Sequence, residues 1–251
     1  MCTLTWWLGR EGRYEVFFNR DELKDREPAW PPRPGERAGV RYLAPIDPRA
    51  GGTWLLANEA GLTLALLNWY ENGEPITYLP EWGSRGALVL DLADVTSRDE
   101  LERRLASVDG GGLPPFWLVA FVPDDNGGNP AVMSWRGLGR GSLVPVEVSL
   151  PVCSSSFDTL SVLGRRRDLL AGVDRDDPEA LWAYHHGVGD SEPPGADSVR
   201  MHRPDAQTWS ISRVTVAPER VTFRYEAEPP NLDGERDIVV ASLERSLSGQ
   251  S

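Results

Sequence analysis

Apolar and polar side chains alternate along the first part of the chain with the two-residue period of a β-strand. The pattern begins at Cys2 and continues with apolar side chains at positions 4, 6 and 8. Residues 14–18 form a second apolar run, and residues 9–12 between the two runs have the composition of a turn. The pattern predicts a hairpin in which the end of the second strand lies beside Cys2.

Similar patterns predict further strands and helices. Paired strands are expected at residues 53–57 and 62–69, at 116–122 and 131–135, and at 208–216 and 221–225. Helices are expected at residues 86–92, 99–108, 158–170 and 178–185, with an amphipathic tail helix at 237–247. Residues 28–52 are rich in Pro, Gly and Arg and show no periodicity, so a long loop is expected there.

Strand pairs, then helices, then strand pairs again favour an α+β protein with stacked sheets. No sequence repeat of about 20–50 residues is present, which argues against a solenoid or a propeller. Hydrophobic residues make up 40% of the 251 residues and charged residues 25%, which is enough for a sizeable core. No change in composition marks a domain boundary, so residues 1–251 are expected to form a single domain.

The charge balance is acidic and disfavours some classes of partner. With a net charge of −12, the surface would repel nucleic-acid phosphates and anionic membranes, so neither is expected as a partner. No apolar run is long enough to span a membrane, and the N-terminus lacks the features of a signal peptide, so a cytoplasmic protein is expected. The two cysteines provide no disulfide framework, and the oligomeric state stays open.

Two groups of histidine or arginine side chains on predicted helices point to no chemistry. His185 and His186 are adjacent and do not share a helix face, which disfavours a metal site. Arg165, Arg166 and Arg167 form an isolated basic run that is expected to be a solvated helix face. No metal and no cofactor are therefore expected.

Cys2 is the first candidate for chemistry, because its small side chain makes Met1 removable by methionine aminopeptidase. Removal would leave one residue with both a thiol and a free α-amine. A thiolate is a strong nucleophile, and an α-amine with a pKa of about 7.7–8.0 can act as its base near neutral pH. The alternative is a buried strand cysteine without a chemical role, since cysteine is among the most buried residue types.

A polar cluster follows the second predicted strand. Asn19, Arg20, Asp21 and Glu22 come directly after its apolar residues, and the predicted hairpin places Arg20 and Asp21 near Cys2. A carboxylate there can hold the new α-amine, and a guanidinium favours the thiolate. The alternative is an ordinary ion-rich turn, which contributes little to stability.

Further candidates come from the apolar parts of the sequence. Asn68 ends a buried apolar run, and its amide can donate to a developing oxyanion, or it can simply begin the turn that continues through residues 70–73. The candidates for substrate binding are Asn19, Trp30 in the expected loop, Trp69 next to Asn68, and Trp82. For the tryptophans, packing away from the site is nearly as good an interpretation.

Several short motifs occur in a specific order. They are MC at residues 1–2, FNRDE at 18–22, GGTW at 51–54, NEAGL at 58–62 followed by LNW at 67–69, and SRG at 84–86. In this order they resemble the NRDE family, the relatives of the transport and Golgi organization protein, most densely over residues 1–90. That family is similar to the cholylglycine hydrolase and penicillin V acylase branch of the N-terminal-nucleophile (Ntn) hydrolases.

The resemblance implies a four-layer αββα sandwich of two antiparallel sheets flanked by helices, and attack on a linear amide. Cys2 then matches the nucleophile, Asp21 the carboxylate that binds the α-amine, and Asn68 the oxyanion donor. Arg20 matches the active-site arginine, although the acylases space their arginine and aspartate differently.

One motif departs from the acylases. They carry a second active-site asparagine before a Phe-Asp pair, whereas residues 153–158 here read CSSSFD. Either a hydroxyl of Ser154, Ser155 or Ser156 replaces that amide or the chemistry differs. Arg200 is a weak match for the C-terminal arginine of the acylases.

Two main functions remain open. The first is an amidohydrolase that cleaves a C–N bond of a small linear amide with an N-terminal cysteine. The second is a non-catalytic carrier of haem or acyl lipids on the same scaffold, because eukaryotic relatives are associated with haem and lipid handling. A role in secretory trafficking is disfavoured by the expected cytoplasmic location. The first residue discriminates between enzyme and carrier, because a carrier needs no free α-amine.

Overall fold

In the computed structural model, which describes residues 2–70, 76–124, 128–156, 158–229 and 234–246, the chain forms two antiparallel sheets and four α-helices. The strands are β1 (Cys2–Leu8), β2 (Tyr14–Leu23), β3 (Trp30–Arg37), β4 (Val40–Ile46), β5 (Leu55–Asn58), β6 (Thr63–Asn68), β7 (Phe116–Val122), β8 (Ala131–Gly137), β9 (Val144–Pro145), β10 (Val152–Ser154), β11 (Ala206–Val216), β12 (Arg220–Ala227) and β13 (Asp237–Glu244). The helices are α1 (Arg85–Asp91), α2 (Arg98–Ala106), α3 (Thr159–Ala171) and α4 (Pro178–His185).

Strand β1 pairs with one strand that is near it in the sequence and with another that is far from it in the sequence. The first sheet has the order β10-β1-β2-β11-β12-β13, and the second has the order β3-β4-β5-β6-β7-β8-β9. Strand β2 follows β1 directly in the chain, whereas β10 joins the other side of β1 from far along the sequence.

Alternation along β2 shows how the layers pack. Tyr14, Val16 and Phe18 belong to the core between the two sheets, whereas Phe17 packs against α3 and α4 on the outer face of the first sheet. On the outer face of the second sheet, α1 and α2 cover leucines of β6 and β7. The layers are therefore helices, sheet, sheet and helices, which confirms the predicted α+β, four-layer αββα sandwich.

The N-terminal hairpin has the predicted register, with Cys2 opposite Arg20. Its turn uses left-handed backbone at Glu11 (φ 56°) and Gly12 (φ 69°). Strand β2 is longer than predicted, since it continues to Leu23 and contains the whole FNRDE motif. The other predicted strand pairs and the four predicted internal helices also form, with small shifts at their ends.

Residues 28–52 do not form the predicted long loop. They contain β3 and β4, which are joined by a two-residue turn with positive φ at Ala38 (47°) and Gly39 (84°). Three prolines in β3 obscure the strand in the sequence, because proline cannot donate to a ladder. However, β3 lies at the edge of its sheet, where missing donors are tolerated.

The predicted tail helix is also wrong, because residues 237–244 form strand β13. This strand pairs with β12 along its whole length. The β-branched residues Ile238, Val239 and Val240 favour a strand, and Leu243 reaches the core between the sheets. The predicted end of the helix at Leu247 lies outside the described residues.

Strands β9 and β10 are too short for periodicity to predict. Strand β10 nevertheless matters for the site, because it pairs with β1 and places Ser154 opposite Cys2. Within the described parts of the chain, no helix is long and apolar enough to cross a membrane.

Candidate active site

A cavity of about 650 Å³ opens where β1 begins. Its wall includes Cys2, Arg20 and Asp21 of the N-terminal hairpin and Asn68 at the end of β6. The start of α1 also contributes to the wall through Arg85. The fold therefore brings together the residues that the sequence proposed for catalysis, although they come from both sheets.

Cys2 is flanked by polar side chains on both neighbouring strands. Arg20 lies opposite it on β2 and Ser154 opposite it on β10, and cross-strand partners project to the same face of a sheet. Cys2 is 8% exposed, and burial raises the pKa of its thiol to about 11. The thiol is therefore protonated near neutral pH, and a base is needed to generate the thiolate.

Arg20 is held between an aromatic ring and a carboxylate. Its guanidinium carbon lies 4.4 Å from the centre of the Trp54 ring, and its Nη2 lies 3.0 Å from Asp47 Oδ2. Arg26 Nη2 contacts the same oxygen at 2.7 Å. Burial tends to raise the pKa of Asp47, but the hydrogen bonds from Arg26 and from the Ala50 amide outweigh it and lower the pKa. Two guanidinium groups therefore converge on one carboxylate, and a second carboxylate, that of Glu22, lies 3.7 Å from Arg20.

Asp21 projects to the other face of β2, toward α3. The Thr208 hydroxyl donates to Asp21 Oδ1 at 2.7 Å, and Arg166 Nη2 lies 3.3 Å from Asp21 Oδ2. Asp21 is 3% exposed and Arg166 is 0% exposed. A buried carboxylate with a buried cation on it therefore lies beside the start of β1.

Asn68 ends β6 and donates through Nδ2 to the Tyr70 hydroxyl at 3.1 Å. Burial raises the pKa of Tyr70 against the opposing hydrogen bond from Asn68, and Cys2 is close enough to add to the rise. An asparagine amide carries two N–H donors, so one stays available for an oxyanion. Most of the alternative turn, residues 71–73, lies outside the described residues.

The GGTW and SRG motifs meet in the cavity wall. A Cβ on Gly52 would lie 2.6 Å from the carbonyl carbon of Gly86, and a Cβ on Gly86 would lie 2.8 Å from the Thr53 nitrogen. Only glycine allows two backbones to approach this closely. The contact holds the start of α1 against the segment before β5, which explains why both motifs contain glycine.

Of the three candidate tryptophans, Trp82 lies in the cavity wall and the other two lie elsewhere. Trp30 begins the edge strand β3, is 46% exposed and packs on the guanidinium of Arg33. Trp69 packs on the guanidinium of Arg136. The structure therefore brings Trp82 to the cavity wall, whereas Trp30 and Trp69 pack on arginines that do not line it, in line with the alternative interpretation for these two rings.

Asn19 binds the last turn of α4 rather than facing the cavity. Its Nδ2 donates to the carbonyls of His185 and Val199, at 2.9 Å each, and its Oδ1 lies 2.7 Å from His185 Nδ1. Burial holds the pKa of His185 well below its usual value, so the ring is neutral and Nδ1 donates. Because β2 continues through the FNRDE motif, alternation turns Asn19 to the outer face of the sheet, contrary to the expected contact with substrate.

The CSSSFD stretch supplies hydroxyl groups next to the candidate nucleophile. Ser154 is 4% exposed, and its Oγ makes no hydrogen bond with any described residue. Ser156 lies in the cavity wall, while Phe157 lies outside the described residues. Arg200 forms a two-point ion pair with Glu228, with Nη2 2.6 Å from Oε2, and does not belong to the wall.

The basic run at residues 165–167 is not a uniformly solvated helix face. Arg167 is exposed and Arg165 is partly exposed, whereas Arg166 is wholly buried beneath the first sheet. Among the residues that the structure describes, no group of three or more His, Cys, Asp or Glu side chains is arranged to hold a metal ion.

Four contributors to the site are not evident from the sequence. Asp47 and Trp54 fix Arg20, Tyr70 receives the Asn68 amide, and Arg166 reaches Asp21. Trp54 belongs to the GGTW motif, and this motif is the one feature of the sequence that could have pointed to any of these four residues. The other contacts join segments far apart in the chain, and no local period can reveal them.

Comparison with known proteins places this geometry among related folds. The sequence pattern of the family described as Transport and Golgi organisation 2 matches residues 1–135. No curated protein matches the sequence significantly. A mutant of the conjugated bile acid hydrolase from Clostridium perfringens is structurally similar, with a TM-score of 0.52 and 14% sequence identity, over 100% of this chain and 99% of that one. An N-acylethanolamine-hydrolyzing acid amidase (NAAA) ortholog from Caenorhabditis elegans has a TM-score of 0.52 and 12% identity, over 85% of this chain and 92% of that one.

Proposed function

Because the chain belongs to the Transport and Golgi organisation 2 family and shares its fold with Ntn hydrolases, we propose that it is an amidohydrolase whose nucleophile is an N-terminal Cys2. The substrate is a small linear amide, and its C–N bond is cleaved. The proposal is carried by the position of Cys2 in the cavity wall, at the start of a strand and opposite Arg20.

In this proposal Cys2 supplies both nucleophile and base once Met1 has been removed. Burial favours the protonated thiol, so the neutral α-amine of the same residue accepts the thiol proton as sulfur attacks the carbonyl carbon of the amide. A C–S bond forms, and the π electrons of the carbonyl move onto its oxygen. The α-amine becomes an ammonium, which Asp21 is well placed to hold because it lies next to Arg20 in the strand that pairs with β1.

Other residues act on the charges that develop. The Asn68 amide donates to the oxyanion, and Arg20 favours negative charge on the sulfur. When the tetrahedral intermediate collapses, the ammonium proton passes to the leaving nitrogen, the C–N bond breaks and the amine product departs. Water then attacks the thioester with the α-amine as its base, which releases the carboxylic acid and restores the Cys2 thiol.

Ser154 is a candidate for the role that an asparagine has in the acylases. Its hydroxyl lies in the same cross-strand row as Cys2 and lacks a partner among the described residues. A buried hydroxyl without a partner is costly, so Ser154 would gain by donating to a substrate that reaches it, while Ser156 of the same stretch lines the cavity and offers its hydroxyl directly. This supports a hydroxyl as the replacement for the missing amide.

The proposal is tested by intact mass of the purified protein before and after treatment with a thiol-directed β-lactone. We expect the mass of a chain that lacks Met1, and one adduct that disappears in Cys2→Ala. Cys153→Ala is the matched control, because Cys153 is the other cysteine of the sequence and lies on the opposite face of the same sheet, where its Sγ is 3.9 Å from Thr3 Oγ1. This variant should be labelled like the natural protein.

Turnover is tested with a set of N-acyl amides, by measuring the amine released. Release should require Cys2 and should be absent from protein that retains Met1. Retention of Met1 in most molecules, or equal amine release by the natural protein and Cys2→Ala, would refute the proposal.

A non-catalytic carrier of haem or acyl lipids is the second candidate. The observation in its favour is the set of aromatic rings in the cavity wall, which suits a flat or apolar ligand: Trp54, Tyr70, Tyr78 and Trp82. A carrier would bind haem or a fatty acid equally well with and without Met1. The enzyme requires the α-amine, so the comparison of processed and unprocessed protein separates the two candidates.

A further inference from the structure

Arg166 is a wholly buried charge whose neighbours in the sequence are not buried. It is 0% exposed and lies on α3, beneath the first sheet. Nη1 donates to the hydroxyl of Thr3, which follows the candidate nucleophile directly. Nη2 donates to the carbonyl of Ser198 at 2.7 Å and lies 3.3 Å from Asp21 Oδ2.

An unpaired guanidinium is costly to bury, because a cation loses its favourable interaction with water when it enters the interior of a protein. A buried arginine is therefore expected to have a carboxylate partner. The only carboxylate that Arg166 contacts, among the described residues, is Asp21. That carboxylate is also the one proposed to hold the α-amine of Cys2. Arg166 and the α-amine would therefore share one counter-ion.

We propose that Arg166 is a positioning residue that keeps the α-amine of mature Cys2 neutral at physiological pH by sharing the charge of Asp21. This inference rests on the proposed function, since it takes the α-amine to be free. A carboxylate alone favours the ammonium form of an amine, which cannot accept the thiol proton. A second cation on the same carboxylate opposes that effect, so the amine stays available as a base.

The hydrogen bond to Thr3 gives Arg166 a second, geometric role. Side chains alternate along a strand, so fixing Thr3 toward α3 directs its neighbour Cys2 to the opposite face, toward the cavity. One side chain thus contacts both the strand that carries the nucleophile and the carboxylate that holds its amine.

Other ionisable groups also surround the start of β1. Arg20 on β2 adds positive charge, and its own partner Asp47 offsets it. Further ionisable groups line the cavity or surround the start of β1: Glu22, Arg26, Tyr70, Arg85, Cys153, Tyr184, His185 and Arg203. The cation described in contact with Asp21 is Arg166, at 3.3 Å, so the test is made on that side chain.

The test measures the protonation of the α-amine directly. Lys24 is the single lysine of the sequence, so a small amine-acylating reagent has two amines to label in the mature chain. Labelling is measured against pH by peptide mass spectrometry, with Lys24 as internal reference, in a Cys2→Ser background that prevents acyl transfer from sulfur. Arg166→Met should raise the pH midpoint of α-amine labelling by about one unit or more.

Two further variants separate charge from structure. Arg166→Lys keeps the charge and should retain a midpoint near that of the parent, and Arg167→Met, on the exposed side of the same helix, should leave it unchanged. If Arg166→Met does not fold, Asp21→Asn gives an independent measurement. In Asp21→Asn the positive charge of Arg166 stays near the α-amine but the carboxylate is gone. Because a nearby cation disfavours the ammonium form, the pH midpoint of α-amine labelling should fall below that of the denatured chain.

An unchanged midpoint in Arg166→Met, or a midpoint in Asp21→Asn equal to that of the denatured chain, would overturn the inference. Failure of the proposed function looks different, because it gives a chain that retains Met1 or a Cys2 that does not react with the β-lactone. If Arg166→Met only destabilised the fold, circular dichroism would show a smaller folded fraction. The pH midpoint of α-amine labelling in the molecules that remain folded would then be unchanged.

Discussion

At the scale of single residues, the alternation of β2 gives adjacent carboxylates different surroundings. Asp21 accepts a hydrogen bond from Thr208 and contacts buried Arg166, whereas Glu22 lies 3.7 Å from Arg20 with its side chain 27% exposed. Both contribute atoms to the cavity wall, but only Asp21 belongs to a buried network. The two carboxylates therefore make a matched pair for mutation.

On the proposed mechanism, Asp21→Asn should slow β-lactone acylation of Cys2 by about a hundredfold or more, because the α-amine would lose the carboxylate that positions it. It should also destabilise the fold by about 3–5 kcal/mol, since Arg166 would keep a buried charge without its carboxylate. Glu22→Gln should change stability by less than about 1 kcal/mol and should leave acylation nearly unchanged. Rates are compared by mass spectrometry and stabilities by urea unfolding. Equal losses in both variants would show that the buried network has no special role.

The sequence identifies Cys2, Arg20, Asp21 and Asn68 as candidates because motifs and the hairpin pattern bring them to attention. It does not reveal which face of β2 each side chain uses, because that depends on whether the strand ends before or after the FNRDE motif. Since β2 continues to Leu23, Asn19 turns toward α4. Burial of Arg166 is equally invisible, because an arginine between two other arginines resembles a solvated helix face.

At the scale of secondary-structure elements, the position of α1 depends on a contact between backbones. Gly52 and Gly86 leave no room for a Cβ, and the Thr53 N–H donates to the Gly86 carbonyl at 3.2 Å. The contact joins the segment before β5 to the helix that carries Arg85. It therefore fixes one wall of the cavity without using any side chain.

Gly86→Ala should destabilise the protein by about 1–3 kcal/mol, because the new methyl group would overlap the backbone of Thr53. Acylation of Cys2 should also slow as α1 moves away from the wall. Gly164→Ala is the control, since it lies inside α3 with nothing within 4 Å of its new Cβ, and it should stabilise the fold by about 0.5–1 kcal/mol. Urea unfolding measures both; a Gly86→Ala protein as stable as the parent would contradict the packing argument.

Sequence periodicity and turn composition predict the elements in which apolar side chains recur regularly between clear turns or helix caps. The β1–β2 hairpin and helices α1 to α4 belong to this group. Strands β3 and β13 were obscured because both lie at sheet edges, where prolines and exposed apolar side chains break the usual alternation. Strands β3 and β13 are extended because they pair with β4 and β12. This pairing is a tertiary contact, and the local sequence pattern does not reveal it.

At the scale of the whole molecule, the cavity lies where both sheets and α1 meet, and its walls differ in chemistry. Arg20 and Arg26 line one part, and Trp82 and Tyr78 line another, with their ring centres 6.2 Å apart. A substrate would place its reacting carbonyl near Cys2 and the rest of its acyl group along the aromatic part. If the proposed function holds, Trp82 supports a preference for an apolar acyl group, whereas Trp30 and Trp69 lie outside the wall and do not contribute.

Trp82→Ala should lower kcat/KM for amides with large apolar acyl groups by about tenfold and should affect short acyl groups less, because buried apolar area contributes about 25 cal/mol per Å². Trp30→Ala is the matched control, as its ring lies outside the cavity, and it should leave the preference unchanged. Amine release from a series of acyl chain lengths measures this. A natural protein that favours charged acyl groups would reject the preference.

The pairing of β1 also orders events during synthesis. Strand β2 emerges soon after β1, but β10 and Arg166 on α3 are translated more than half a chain later, so the start of β1 stays unpaired on one side while the ribosome works. Once folded, Cys2 is 8% exposed and lies between two strands. On the proposed mechanism, we therefore expect Met1 to be removed from the nascent chain before β10 pairs with β1, and slower removal should leave a larger fraction of the protein without a free α-amine.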